Sequence, residues 1–308
     1  MASADTAIRQ TASGSVLGLM LICSLLWATA FPLMKLIGAD LSPLALNALR
    51  GTMGCVLLGL FLLAKRQSVL PKGREWLDWM VLGIFQGLIP NVLTAYALLT
   101  ITTGLSSMIQ ASTPLIVALV AHFLFADERL TPLRAVGVLT GFAGIALLIG
   151  PAAFGVGAAD FNGTIAMAIT AASYAIGNLY IRGIPDANPT RLAFGQQTFS
   201  GLPSLAFLLA WSGTAAFAGV QQHLWEVLAL GFVSTAIPIL LYMHILKRAG
   251  PTLGSMNGYL VPVWTILIGV TLLHETVLPR EILGGVVIFA GITIVSVARR
   301  RALRAATG

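Results

Sequence analysis

TGFAGIALLIG at Thr140–Gly150 and VIFAGITIVSV at Val287–Val297 share four letters, FAGI, at Phe142–Ile145 and Phe289–Ile292. The copies lie 147 residues apart in a chain of 308. Four apolar letters can recur by chance, but their surroundings cannot. WATAFPLMK at Trp27–Lys35 lies over YAIGNLYIR at Tyr174–Arg182 at the same offset, with an aromatic opening each stretch and a base closing it. Pro43 and Pro189 follow at offset 146. Gly83 and Pro90 are seven apart, as are Gly231 and Pro238. GLSSMIQASTP ending at Pro114 lies over TLGSMNGYLVP ending at Pro262, and ERLTP at Glu128–Pro132 lies over ETVLP at Glu275–Pro279. Apolar bias does not place Pro, Glu and Arg in register. The chain is therefore read as two copies of one unit, residues 1–150 and 151–308.

The solvent for this unit follows from composition. The chain is 57% hydrophobic and 9% charged, against about 25% charged in an ordinary soluble domain. No water-soluble fold hides so much apolar surface, so the reading is an all-α integral membrane protein. A span takes about 20 apolar residues. Ten such segments can be drawn, at 15–37, 43–64, 77–98, 101–125, 133–150, 162–181, 190–211, 224–246, 252–273 and 281–298. Arg9, the apolar run Val16–Leu26 and Ala28–Ala30 resemble a signal peptide with its cleavage site. The apolar sequence runs on through Ile37, and the repeat needs this helix, so it is expected to be retained.

Each copy holds five helices. Five is odd, so the second copy enters the membrane from the opposite side. That arrangement is an inverted repeat, a common basis of alternating access around a central cavity. Charge agrees with a cytoplasmic N-terminus. Arg9, Lys65, Arg66, Lys72, Arg74, Arg129, Arg134, Arg182, Arg191, Lys247, Arg248 and the Arg299, Arg300, Arg301 and Arg304 tail then lie inside, while only Lys35 and Arg280 lie outside. Both termini are expected in the cytoplasm of a multi-pass bacterial inner-membrane protein.

Ten helices as two five-helix repeats resemble the drug/metabolite transporter superfamily, and within it the EamA family. The residues that carry the resemblance are Trp27 through Lys35, Arg50 seven residues after Pro43, Pro114, and the glutamate-led junctions DERLTPLRAVGVLTGFAGIAL at Asp127–Leu147 and HETVLPREILGGVVIFAGITI at His274–Ile294. The likeness covers essentially the whole chain. It implies export of amino acids and related small metabolites, most like the aromatic amino acid exporter branch. Related four-helix multidrug exporters use a glutamate in the first helix, and this chain has none there. All eleven carboxylates fall in loops or at helix ends, which argues against a mid-membrane carboxylate relay.

Polar residues within the spans are the candidate cavity residues. Arg50 is the sharpest, because a mid-span arginine costs about 2.5–3.5 kcal/mol on insertion scales and must face protein or water. It is read either as a carboxylate-binding or cavity-gating residue, or as a buried tie between helix ends or a chain that snorkels to the outer surface, and its repeat partner is Gln196. Thr170, Tyr174 and Asn178 share one face of the sixth helix, and Cys23, Trp27 and Phe31 form the matching face of the first. Gln86, Asn91 and Tyr96 lie in the third helix, Ser106, Gln110 and Thr113 in the fourth. Ser234, Thr235, Tyr242 and His244 lie in the eighth, and Asn257, Tyr259 and Trp264 in the ninth. Ordinary helix packing would use the same residue types as interhelical glue. Pro32, Pro90, Pro114, Pro238 and Pro262 are candidate hinges, since each removes a backbone hydrogen bond. Helices five and ten carry glycines and almost nothing polar, so they are expected to be peripheral scaffold. His122 and His244, near cytoplasmic ends, are the groups that could carry a proton.

An intramembrane enzyme would need a nucleophile–base pair or metal cluster, and none is legible. Cys23 and Cys55 sit in apolar runs without ligand spacing. No cofactor, metal, ATPase subunit or nucleic acid is expected. The partners are the lipid bilayer and a small amphiphilic substrate, and a monomer is expected to suffice. Nucleotide sugars or other phosphorylated metabolites, and drugs or cations, are the alternative cargoes; phosphate would call for more bases than Arg50 and Lys35.

Overall fold

A computed structural model describes residues 14–125, 130–150, 158–184 and 188–307. Arg9, Asp127, Glu128, Arg129 and Asp186 fall outside them, as do the side chains of Asn257, Asp160, Lys247, Arg248 and the tail arginines.

The described chain is all-helical, with no strand. α1 comprises Gly14–Ala28 and Ala30–Ile37. α2 is Pro43–Ala64. α3 comprises Glu75–Leu82, a π-helical turn at Gly83–Leu88, and Ile89–Ala97. α4 comprises Thr103–Ala111 and Thr113–Leu124, and α5 is Pro132–Ile149. α6 is Ala158–Arg182, α7 is Pro189–Ser212, and a 3₁₀ segment, Gly213–Val220, follows. α8 is Leu224–Ile245, with a second π-helical turn at Ala229–Ala236; α9 is Gly258–Leu272 and α10 is Pro279–Thr307. Among the described residues eight helices are long and apolar enough to cross a membrane, and α5 and α9 are shorter apolar helices.

Local chemistry explains where these helices start and break. Pro43 and Pro189 each occupy a first helical position, where the missing N–H costs nothing. Ser42 Oγ accepts from the Ala45 amide, and Asn188 Oδ1 accepts from the Thr190 amide. Breaks precede the internal prolines: α1 at Thr29 before Pro32, α4 at Ser112 before Pro114. In α3 and α8 the helix widens into a π turn before Pro90 and Pro238, so the two turns recur with the repeat. Pro90 cannot donate to the carbonyl of Gln86, four residues back. That carbonyl accepts from Gln196 Nε2 at 2.9 Å, and the neighbouring Phe85 carbonyl accepts from Ser173 Oγ at 2.7 Å.

One boundary differs from the sequence reading. A loop was expected around 247–251, but residues 237–272 are helical throughout. They do not form a straight rod, which would hold Pro238 and Trp264 about 39 Å apart. Cys23 Sγ reaches the Pro238 carbonyl at 3.3 Å, while its neighbour Ser24 takes the Trp264 indole N–H at 3.1 Å. Consecutive residues sit only about 3.8 Å apart. The chain therefore turns back between α8 and α9 while keeping helical backbone.

The two halves meet along antiparallel seams. In α2 and α7, Asn47 bonds Ser204, Cys55 bonds Thr198, and Gly59 faces Phe194, so numbers rise in one helix as they fall in the other. In α5 and α10 a Cβ on Gly137 would lie 2.9 Å from the Gly291 carbonyl, and one on Gly144 would lie 2.8 Å from the Gly284 carbonyl. The residues of the two FAGI stretches thus pack on one another's helices. Elsewhere α1 packs on α8 and α9, α6 packs on α3 and α4, and α4 packs on α9. Exchanging the halves turns this set of pairings into itself.

Candidate functional site

The central cavity has a volume of about 780 Å³ and is lined by α1–α4 and α6–α9. Among the described residues, none of α5 or α10 contributes to its wall. At one end the wall reaches Ile184 and Pro189 beside the α6–α7 link, and Met243 and Gly258 beside the α8–α9 link.

The opposite end is held shut by polar contacts. Lys35 Nζ pairs with Glu275 Oε1 at 3.1 Å and donates to the Ile101 carbonyl at 2.7 Å. Glu275 Oε2 also accepts from the Thr103 hydroxyl at 2.7 Å and the Thr103 amide at 3.0 Å. These bonds join α1, the α3–α4 link and the α9–α10 link. Nearby, His223 Nε2 lies 2.8 Å from Asp40 Oδ2.

Arg50 stands on the wall, and among the described lining residues it is the only charged one. Its Nε donates to Thr235 Oγ1 at 2.6 Å. Thr235 in turn donates to the Leu230 carbonyl, five residues back in the π turn of α8, at 2.7 Å. Among the described residues neither Nη group of Arg50 makes a hydrogen bond. Two parallel donors of a planar guanidinium match a carboxylate.

Aromatic and amide groups fill the rest of the wall. Trp27, Phe31, Tyr174, Tyr242 and Tyr259 all line it, and the rings of Trp27 and Tyr242 lie 5.1 Å apart at 54°. Gln86 Nε2 donates to Asn178 Oδ1 at 2.8 Å, and with Gln196 these form a neutral amide cluster. Asn91 and Gln110 also reach the wall.

Several sequence candidates lie elsewhere. Tyr96 is not on the wall and is 40% exposed, so its ring points outward. Trp264 turns its indole N–H to Ser24. Asn257 has no described side chain. Cys23 and Thr170 are fully buried off the wall, and among the described residues Thr170 Oγ1 has no hydrogen-bond partner. Of the hinges, Pro114 and Pro262 line the cavity, whereas Pro32, Pro90 and Pro238 do not. His122 and His244 are absent from the wall; His122 Nδ1 accepts from the Leu130 amide at 3.1 Å. No carboxylate lines it among the described residues.

Sequence reasoning missed four polar wall or near-wall residues. Thr94, Ser107 and Gln197 line the cavity. Asn47, buried behind it, accepts from Asn91 at 3.0 Å and from Ser200 at 2.8 Å, joining α2, α3 and α7. Its spacing three before Arg50, like that of Thr94 three after Asn91, was the available signal.

Known proteins are similar to this chain in sequence and in fold. Among curated relatives, the uncharacterised transporter YoaV of Bacillus subtilis strain 168 is 23% identical over 87% of this chain and 92% of its own length. The uncharacterised inner membrane transporter YedA of Escherichia coli K12 is 24% identical over 90% of this chain and 89% of its own. A WAT1-related chloroplastic protein of Arabidopsis thaliana is 29% identical over 88% of this chain and 66% of its own. A protein of known crystal structure superposes with a TM-score of 0.64 at 23% identity, over 94% of this chain and 99% of its own. The profile of the EamA-like transporter family matches twice, at residues 14–150 and 161–297. With those two matches accounting for most of the length of an all-helical, cavity-bearing chain, this protein belongs to the EamA-like transporter family.

Proposed function

We propose that the chain exports amino acids with apolar or aromatic side chains, and related small metabolites, across a bacterial inner membrane. Its ten spans act as two inverted five-helix repeats, residues 1–150 and 151–308, with both termini cytoplasmic. The antiparallel α2–α7 and α5–α10 seams support the inversion. The cavity reaches one end of the bundle and is latched at the other, as one state of an alternating-access cycle requires.

The observation that carries the substrate reading is Arg50. Among the described residues it is the one cation on a wall otherwise aromatic and neutral, and neither of its Nη groups makes a hydrogen bond there. A carboxylate takes the guanidinium. The apolar side chain of the same molecule takes the surface of Trp27, Tyr174 and Tyr242. Gln86, Asn178 and Gln196 offer hydrogen bonds without net charge. A phosphate monoester would bring about 1.5 to 2 negative charges to this one cation. The test is counterflow in proteoliposomes. L-phenylalanine is compared with L-phenylalaninamide in wild type and Arg50→Gln, with rates scaled to folded protein. The variant should transport L-phenylalanine with a much raised KM and keep transport of the amide. Equal loss of both would refute the reading.

A further inference from the structure

We infer that Thr235 is a positioning residue for the carboxylate site, holding the Arg50 guanidinium with its Nη pair turned to the cavity. This rests on the functional reading of Arg50 just given.

Thr235 is 2% exposed and lies in the π turn of α8. Its hydroxyl makes two bonds in series, accepting from Arg50 Nε and donating to the Leu230 carbonyl. The second bond points the oxygen lone pairs toward α2, so the guanidinium meets an acceptor that is already oriented. A guanidinium is planar, so pinning Nε restricts the positions that both Nη groups can take. The anchor is a neutral hydroxyl rather than a carboxylate. It holds the cation without neutralising it, and the charge stays available to a ligand.

The other half of the molecule repeats the device without the charge. Gln196 stands seven residues after Pro189, as Arg50 stands seven after Pro43. Gln196 Nε2 donates to the Gln86 carbonyl within the π turn of α3. Each half thus hooks one side chain into a π turn of the other half. One hook is cationic and seated on a side-chain hydroxyl, the other neutral and seated on backbone. Among the described lining residues the cavity thereby acquires one anion-binding pole, and its geometry depends on one replaceable hydroxyl.

The test uses the full chain in proteoliposomes, with L-phenylalanine and L-phenylalaninamide as probes. Thr235→Val should raise KM for L-phenylalanine by about 5- to 20-fold, the loss of one charge-assisted contact. KM for the amide should stay within about two-fold of wild type. Thr235→Ser keeps the hydroxyl and should behave as wild type. In an Arg50→Gln background Thr235→Val should add nothing, because both act on one contact. If Thr235→Val fails to accumulate, Thr235→Ala takes its place with the same readings. Equal loss for both probes, failure of serine to rescue, or a full additional loss on Arg50→Gln would each overturn the inference. If Arg50→Gln discriminates between the probes and Thr235→Val does not, this inference alone falls. If Arg50→Gln does not discriminate, the functional reading falls with it.

Discussion

Replacing Gly291 by alanine adds one methyl group at the tightest point of the α5–α10 seam. A Cβ there would lie 2.5 Å from the Gly141 amide nitrogen, 2.6 Å from the Gly137 carbonyl and 2.7 Å from the Gly141 Cα. All three are backbone atoms of a helix, which cannot turn aside as a side chain can. Ordinary contact is about 3.5–4.0 Å, so the helices must part by roughly 1 Å. Overpacking of this kind costs about 1–3 kcal/mol. Alanine in place of glycine within a helix returns about 0.5–1 kcal/mol. With three rigid backbone contacts the cost falls in the upper part of that range, so overpacking wins and Gly291→Ala should destabilise by up to about 2.5 kcal/mol. Gly18 in α1 is the control, since a Cβ there meets nothing within 4 Å. The same substitution at Gly18 should stabilise by up to about 1 kcal/mol. Equilibrium unfolding in mixed detergent and SDS micelles measures both. Shifts of the same sign, or a Gly291→Ala protein at least as stable as wild type, would refute the close-packed seam.

Three further outcomes follow from the geometry. Glu275→Gln should weaken the latch at the closed end by about 1–1.5 kcal/mol, a lower-range value because Lys35 is partly solvated. A cysteine placed at Ile101 should then react several-fold faster with a soluble maleimide, and an unchanged rate would remove the latch from the account. Transport of L-phenylalanine should persist without an imposed pH gradient, since no carboxylate stands on the described wall; strict proton dependence would redirect attention to His122 and His244. Cysteines at positions 3 and 307 should resist an impermeant reagent in intact cells, and labelling of both would reverse the topology.

The spans were legible because each needs a long apolar run and the register of Pro, Glu and Arg marked the second copy. The peripheral place of α5 and α10 was legible too, since glycine without polar groups leaves little to offer a cavity. Arg50 stood out through the cost of its charge, but its direction depended on Thr235, 185 positions away in sequence. The π turns were hidden for a similar reason. Proline announces a freed carbonyl, while the donor that stabilises the widened turn, Gln196 for the Gln86 carbonyl, comes from another helix. Tyr96 and Trp264 misled because an aromatic suits a lipid face or a helix interface as well as a cavity. Asn47 went unnoticed because a single asparagine gains meaning only when antiparallel α2 and α7 bring Ser200 and Ser204 to it. The α8–α9 link reads as a loop through Gly250 and Pro251, yet helical backbone persists across it.

The central claim is that a carboxylated amphiphile sits with its acid group on Arg50 and its ring among Trp27, Tyr174 and Tyr242. Crystals grown with L-4-bromophenylalanine test it most directly, because anomalous scattering locates the bromine independently of the protein density. The account predicts one bromine peak inside the cavity against those aromatic rings, with the carboxylate within hydrogen-bond distance of the Arg50 Nη atoms. A peak at the lipid-facing surface, or a cavity ligand whose carboxylate points away from Arg50, would contradict it.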